Sequence, residues 1–595
     1  MAEELQILGG AREHLSSEAL VNLERWLTDP AFAEFVPAIK ELIAEGDWKA
    51  IEDHFYMHIM VGTGGIRGTL GVGPNRMNRR TISEAAQGLS QFIHDFGEDA
   101  VAKGVVIGYE VRRQAREFAE LSAEVFAANG IRAYLFPHLC STPEVSFAIR
   151  HLSTTAGVMI TASHNPRTDN GFKFYWADGG QVVPPLDLKF MDLVNNVERI
   201  THMTAADARD KGLLHDVSTE TDEAYIVAVR GLSMNSSRSA HIVYSPMHGA
   251  GSTNVLPVLT QEGFHLSVVE AQREPDENFS TATSDLINPE FDEVIAMALQ
   301  QAEQQGSDIA IVSDPDADRL GVATKMTMDG TAMLHLNGNE VGTALVHYLL
   351  TELKQKGMLT PAHLVVETNV TSTLISDIAK AFNVRIEDDL LVGFKFIGEI
   401  IEKLENKDTF VIGAEESLGY LVGTFVRDKD ASIAALLLCE LVSVLRDQGK
   451  TLAQYLDEIY QEYGYYKTVL KYMEMKGKEG FKRKEKIMLG LRANPPKKIA
   501  GYPVLKIVDR LPEEQRTKEK YNVGRTGDQI AFVLSEDGRN RVTVRPSGTE
   551  PMVKCYFQYF SSIEGTLEET RARIDAEVDR MVKEILAYNN AQGEA

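Results

Sequence analysis

Apolar residues recur at three- and four-residue spacing from about 14 to 60, where Leu20, Leu23 and Trp26 are followed by Phe32, Phe35, Ile39 and Ile43. This spacing predicts amphipathic helices, and a packing extension rather than a catalytic element. From about residue 100 the texture changes to short β-rich apolar runs, then polar or glycine turns, then helical segments, the alternation of α/β units. Three runs echo one another: Gly104-Val-Val-Ile-Gly-Tyr109, His241-Ile-Val-Tyr-Ser-Pro246 and His363-Leu-Val-Val-Glu-Thr368. Their separations resemble one domain length and predict three similar α/β domains, with chance likeness among buried strands as the alternative. After about 455 the pattern shifts to a Lys-rich helical stretch at 475–486 and strand-like runs at Gln529 to Leu534 and Arg541 to Val544, which predicts a fourth domain of another kind. The expected divisions are 1–208, 209–327, 328–455 and 456–595.

At 595 residues, 44% hydrophobic and 25% charged, the chain is long enough for several cores. A formal charge of -25, from 61 Lys+Arg against 86 Asp+Glu, disfavours nucleic acid and anionic membrane surfaces as partners. Any anionic ligand must then be held by local clusters of donors. The apolar run Ala431 to Leu445 is interrupted by Glu440 and is too short to span a bilayer. The acidic start, Met-Ala-Glu-Glu, lacks the basic and apolar regions of a signal peptide, and three scattered cysteines form no disulfide framework. A cytoplasmic location is the expectation.

Against that acidic background, five segments carry candidate chemistry. Met159-Ile-Thr-Ala-Ser-His-Asn-Pro166 is an apolar strand running into Ser163 and His164, which would present an exposed hydroxyl on a rigid support. No G-x-S-x-G elbow surrounds Ser163, which argues against a hydrolase triad. Lys173, ten residues on, adds a cation that could return to the same pocket. In Ile309-Ala-Ile-Val-Ser-Asp-Pro-Asp-Ala-Asp-Arg319, Asp314, Asp316 and Asp318 alternate along extended backbone and can converge on one hard cation. An EF-hand loop would need glycine at its sixth place and glutamate at its twelfth; Arg319 and Lys325 stand there, so magnesium is the better reading.

Val544-Arg-Pro-Ser-Gly-Thr-Glu-Pro551 gathers a guanidinium, two hydroxyls and a glycine backbone, a donor set suited to phosphate. Gly413-Ala-Glu-Glu-Ser-Leu-Gly419 places carboxylates and a hydroxyl on a glycine-flanked loop, suited to sugar hydroxyls. Gly62-Thr-Gly-Gly-Ile-Arg-Gly68 lacks the Lys-Ser/Thr ending of a P-loop, but Arg67 could reach a phosphate.

In this order the five motifs resemble those of the α-D-phosphohexomutase superfamily, in particular its phosphoglucomutase branch of longer chains, over about 55 to 555. The resemblance implies an α/β fold of four domains around a central cleft, three similar α/β domains plus a smaller C-terminal α+β domain. It implies a phosphorylated Ser163, magnesium ligands Ser163, Asp314, Asp316 and Asp318, and His164, Lys173, Arg67 and Arg319 beside the transferring phosphoryl. Glu415, Ser417 and Lys395 would meet the sugar; Arg545, Ser547, Gly548 and Thr549 would hold the substrate's nonreacting phosphate. The implied activity is interconversion of glucose 1-phosphate and glucose 6-phosphate, with Mg2+ and glucose 1,6-bisphosphate as activator and intermediate. Phosphopentomutase, phosphomannomutase, sugar-bisphosphate synthase and a scaffold without catalysis are the alternatives. Mannose-accepting members carry histidines where this chain has Phe394 and Gly419, which favours glucose.

Overall fold

The computed structural model describes residues 2–62, 65–475, 477–511, 527–548 and 551–594. The N-terminal stretch folds into helices Ala2–Ala11, Ser17–Thr28, Val36–Ala44 and Trp48–Phe55, with a 3-10 turn at Pro30–Phe35. Asp47 starts the last of these by accepting the N–H groups of Lys49 and Ala50. The spaced apolar residues close a small core in which Trp26 packs on Phe32 and Phe35 at ring-centroid distances of 4.6 and 4.9 Å. The extension also reaches the far end of the chain, where Glu52 Oε1 lies 3.5 Å from Lys478 Nζ.

The three echoing runs form β3 (Val105–Tyr109), β8 (His241–Ser245) and β13 (Leu364–Thr368). Each sits inside its own sheet with parallel neighbours on both sides. The first sheet contains β1 (Val61–Gly62), β2 (Gly65–Thr69), β3, β4 (Ala133–Leu135), β5 (Ala156–Ile160), β6 (Asp169–Trp176) and β7 (Leu214–Asp216), in the order β1-β2-β6-β5-β3-β4-β7. The second adds β9 (His265–Val268), β10 (Ile309–Ser313), β11 (Leu320–Lys325) and β12 (Met333–Leu336), ordered β12-β11-β10-β8-β9. The third has β14 (Arg385–Leu390), β15 (Phe410–Glu415) and β16 (Gly419–Leu421), ordered β14-β13-β15-β16. Strands β3, β5, β10, β13 and β15 are buried along their whole length, because helices cover both faces of these sheets.

A shared plan follows. In each sheet the inner strand pairs in parallel with a second strand, which pairs antiparallel with the next: β3-β5-β6, β8-β10-β11 and β13-β15-β16. The fourth unit differs. It begins with β17 (Tyr465–Glu474), has a two-stranded ribbon β18 (Lys498–Ile499) and β19 (Tyr502–Pro503), and completes an antiparallel sheet with β20 (Lys506–Asp509), β21 (Ile530–Val533), β22 (Arg541–Pro546) and β23 (Met552–Ser561). The Lys-rich stretch is helix Gly477–Ala493, which packs on the long helix Leu567–Glu594.

Two elements bear on the expected divisions. Strand β7 lies beyond residue 208 yet hydrogen-bonds into the first sheet, and helix Leu452–Tyr463 straddles residue 455. The Ala431 run is an interior helix, Ala431–Asp447, whose Glu440 accepts a hydrogen bond from Tyr348 at 2.7 Å. No helix among the described residues is long and apolar enough to cross a membrane. Cys140, Cys439 and Cys555 are free and buried.

Candidate active site

The three equivalent hairpins β5-β6, β10-β11 and β15-β16 carry the Ser163, Asp314 and Glu415 segments in the same topological place. Each connecting loop turns through one non-glycine residue in the left-handed region: Ser163 at φ 54°, Ala317 at φ 50° and Leu418 at φ 64°. That conformation is uncommon for such residues and concentrates at functional sites.

The first two loops meet directly. Ser163 Oγ donates to Asp314 Oδ2 at 3.1 Å and lies 3.2 Å from His164 Nδ1. Ser163 is 1% exposed, so the expectation of an exposed hydroxyl is corrected: the aspartate loop of the second unit covers it. His164 beside it is half-buried; desolvation first, then Arg319, Arg67 and Lys554, holds its imidazole well below the usual range and therefore neutral.

Asp314, Asp316 and Asp318 are all buried, and one ligand oxygen from each lies within 4.8 Å of the others. Their oxygens divide into two sets. Asp314 Oδ1 accepts the N–H groups of Asp318 and Arg319 at 3.1 and 3.0 Å, leaving Oδ2 toward Ser163. Lys173 Nζ donates to Asp316 Oδ2 at 2.6 Å and Asp318 Oδ2 at 3.1 Å, and Lys429 Nζ lies 2.9 Å from Asp318 Oδ2. Oδ1 of Asp316 and Oδ1 of Asp318 are buried with no hydrogen-bond partner among the described residues. Two orphaned carboxylate oxygens beside a third carboxylate and a hydroxyl are the oxygen donor set a hard divalent cation takes.

The electrostatics agree with that reading. Burial, and next Asp318 and Asp316, push the Asp314 carboxyl well above its ordinary value. Burial works in the same direction on Asp318, yet Lys173, Lys429 and Arg319 outweigh it and hold that carboxylate ionised. Arg319 Nε stands 3.8 Å from Asp318 Oδ1 and 4.0 Å from Asp314 Oδ2, and Nη1 lies 3.9 Å from Glu290 Oε1. Tyr472 of β17 donates to Glu290 Oε2 at 3.0 Å and so ties the fourth unit to the second.

Glu415, at the end of β15, accepts the Gly393 N–H at 2.9 Å, and Ser417 is half-buried on the same loop. Burial, then Glu416, pushes the Glu415 carboxyl up to about 7. Lys395 is drawn aside: its Nζ donates to Asp187 Oδ2 of the first unit at 3.1 Å. Arg67 borders a cavity of about 210 Å³ lined also by Asn165 and Asp169 and, from the fourth unit, by Phe481 and Pro551. Arg545 Nη1 donates to Tyr556 at 3.4 Å, the Ser547 carbonyl accepts from Lys484 Nζ at 2.8 Å, and Gly548 is exposed. The charges of Arg545 and Lys554 oppose the upward push of burial on Glu416, so the cations of the fourth unit face the third loop. Thr549 lies outside the described residues.

Sequence reasoning passed over several groups at this centre. Lys429 lies in Arg427-Asp-Lys-Asp430, where a lysine between acids shortly after the Glu415 loop was an available signal. Thr142, which donates to Asp316 Oδ2 at 2.8 Å, and Arg112, which grips the Ser163 loop, come from other elements and carry no local signal.

Comparison with known proteins gives matches along most of the chain. Phosphoglucomutase/phosphomannomutase alpha/beta/alpha domains I, II and III match residues 58–200, 223–327 and 337–463, and the C-terminal domain of that family matches 506–581. The phosphoglucomutase of Staphylococcus haemolyticus is 34% identical over 516 residues, covering 85% of this chain and 91% of the relative. That of Staphylococcus saprophyticus is 35% identical over 508 residues, covering 83% and 89%. Two solved structures share the fold: the open form of the Paramecium phosphoglucomutase parafusin, with TM-score 0.61 at 16% identity over 91% of this chain and 95% of that one, and a Burkholderia thailandensis phosphoglucomutase/phosphomannomutase family protein, with TM-score 0.61 at 15% identity over 88% and 98%.

Proposed function

The chain belongs to the phosphoglucomutase/phosphomannomutase family, within the α-D-phosphohexomutase superfamily, and from that premise we propose that it interconverts glucose 1-phosphate and glucose 6-phosphate through a phosphorylated Ser163. It is an enzyme of the isomerase class. The observation that carries the reading is the meeting of Ser163 Oγ with Asp314 at 3.1 Å, beside two buried aspartate oxygens that have no hydrogen-bond partner among the described residues.

Phosphoryl transfer needs charge neutralisation and in-line placement more than covalent ingenuity. Asp314, Asp316 and Asp318, with the oxygen on Ser163, would hold Mg2+, which supplies charge neutralisation at the transferring phosphoryl group. Lys173 and Lys429, with Arg319 at Asp318, hold Asp316 and Asp318 ionised and add positive charge on the protein side. In the first half-reaction the phosphoryl group leaves Ser163 Oγ for the free hydroxyl of the sugar monophosphate, whose proton passes to a base, and glucose 1,6-bisphosphate results. The bisphosphate turns end over end, and its other phosphoryl group returns to Ser163 Oγ as the second sugar oxygen regains a proton.

Glu415 and Ser417 are assigned to the sugar hydroxyls; Arg67 and the turn Arg545, Ser547, Gly548 and Thr549 are assigned to phosphate. Lys395, which commits one of its three donors to Asp187, is assigned to the sugar as well. Two relatives of about 34% identity named phosphoglucomutase, together with Phe394 and Gly419 in place of histidines, support glucose. The test is a coupled assay on glucose 1-phosphate, mannose 1-phosphate and ribose 1-phosphate, with and without a trace of the matching bisphosphate. Fast turnover of glucose 1-phosphate is expected, and fast turnover confined to the pentose would overturn the substrate assignment.

A further inference from the structure

We propose that Arg112, anchored by Glu110, is the positioning residue that holds Ser163 in its reactive orientation; this rests on the reading of Ser163 as the phosphorylated group. Arg112 lies in the turn after β3, and the Ser163 loop follows the neighbouring strand β5. Its guanidinium is buried and bonds the loop at four carbonyls. Nη2 donates to Ser163 O and Asn165 O, each at 2.6 Å, and Nη1 donates to Pro166 O at 2.5 Å and Asp169 O at 2.9 Å.

Glu110 fixes the guanidinium in turn. Its Oε1 lies 2.8 Å from Arg112 Nε and accepts the Thr161 hydroxyl at 3.0 Å, while Thr161 Oγ1 accepts the Ser163 N–H at 2.7 Å. One ion pair and three hydrogen bonds therefore close a circuit through Arg112, Glu110, Thr161, Ser163 and back to Arg112. Both polar groups of the Ser163 backbone are committed to the protein side. With the left-handed φ of 54° imposed on the residue, the side chain is turned toward Asp314.

Planarity explains why arginine stands here. Four carbonyls spread along a loop are reached by the fixed fork of a guanidinium, whereas an ammonium at the same place is one compact charge. In Arg112→Lys the charge opposite Glu110 remains, but the loop loses the fork that sets its curvature. Misplacement of a reacting group by about 1 Å costs on the order of a hundredfold in rate, so the variant is expected to lose kcat by about that factor. The KM for glucose 1-phosphate should stay within about threefold, because uniform substrate binding is untouched.

The experiment measures kcat and KM for native enzyme, Arg112→Lys and Glu110→Gln, with turnover expressed per molecule that carries a phosphoryl group by intact mass. Glu110→Gln keeps the volume and weakens the anchor; a loss of about tenfold in normalised kcat is expected there, and this variant decides the matter if Arg112→Lys does not fold. A loss of normalised kcat with little change in KM supports the proposal. Normalised kcat equal to native in the folded variants overturns it, since the pair would then only maintain the fold. Native enzyme that never carries phosphoryl on Ser163 would instead sink the proposed function and leave the loop geometry to another role.

Discussion

Lys173 Nζ and Asp316 Oδ2 stand 2.6 Å apart in a buried ion pair that joins the first sheet to the loop after β10 of the second. The lysine occupies one oxygen of the aspartate and leaves the other, Oδ1, without a hydrogen-bond partner among the described residues. Substitutions of the two residues should therefore move magnesium affinity in opposite directions. Asp316→Ala removes a donor and should raise the magnesium concentration for half-maximal activity by about ten- to a hundredfold or more. Lys173→Met removes a repelling charge and should lower that concentration while also lowering kcat. Magnesium titrations of activity check both, and equal shifts in the same direction would refute the division of oxygens.

Ser163→Ala should abolish mutase turnover and remove the phosphoryl adduct seen by intact mass on native protein. The lost hydrogen bond to Asp314 should cost on the order of 1 kcal/mol, a small change in unfolding midpoint. Undiminished activity would remove Ser163 from the mechanism.

Arg545 tests reorientation of the bisphosphate. If one distal site grips the phosphate on carbon 6 in one half-reaction and on carbon 1 in the other, Arg545 matters in both directions. A charge-assisted hydrogen bond contributes roughly 1.5 to 3 kcal/mol, so Arg545→Ala should lower kcat/KM by about ten- to a hundredfold for glucose 1-phosphate and glucose 6-phosphate alike. Unchanged values for both would place Arg545 outside the phosphate site. Magnesium dependence should hold, because the aspartates lie on a different sheet.

Much of this architecture was legible in the chain because its signals are local. The runs at 104, 241 and 363 are apolar without alternation, as strands buried on both faces must be, and they become β3, β8 and β13. The alternating aspartates marked a candidate cation site because three carboxylates at that spacing have few other uses, and one oxygen from each does lie within 4.8 Å of the others. What escaped depends on contacts between segments far apart in sequence. Arg112 reaches Ser163 across 51 positions and Thr142 reaches Asp316 across 174, and neither stands in a motif of its own kind. The exposure of Ser163 was misjudged for the same reason: its cover, Asp314, arrives from another unit. The boundary near 208 shows a further limit, since β7 has only three residues and its pairing with β4 is invisible to periodicity.

Burial, and next the charge of Glu416, pushes the Glu415 carboxyl from 4.5 up to about 7 against the opposing pull of Lys429, the Gly393 N–H and Arg319. Between those two values the folded protein keeps a proton that the unfolded chain has released. Stability from this group is therefore full below about pH 4.5 and is lost as pH rises through 7, by an amount on the order of 3 kcal/mol. Glu415→Gln keeps the shape and fixes the site neutral, so its stability should lack this component. Urea unfolding midpoints of native and variant proteins, measured from pH 5 to 8.5 at constant magnesium, should diverge: the native protein loses ground to the variant up to about pH 7.5, and the gap is then constant. Curves that stay parallel across the whole range would show that Glu415 is ionised throughout, and that it meets the sugar as an ordinary carboxylate.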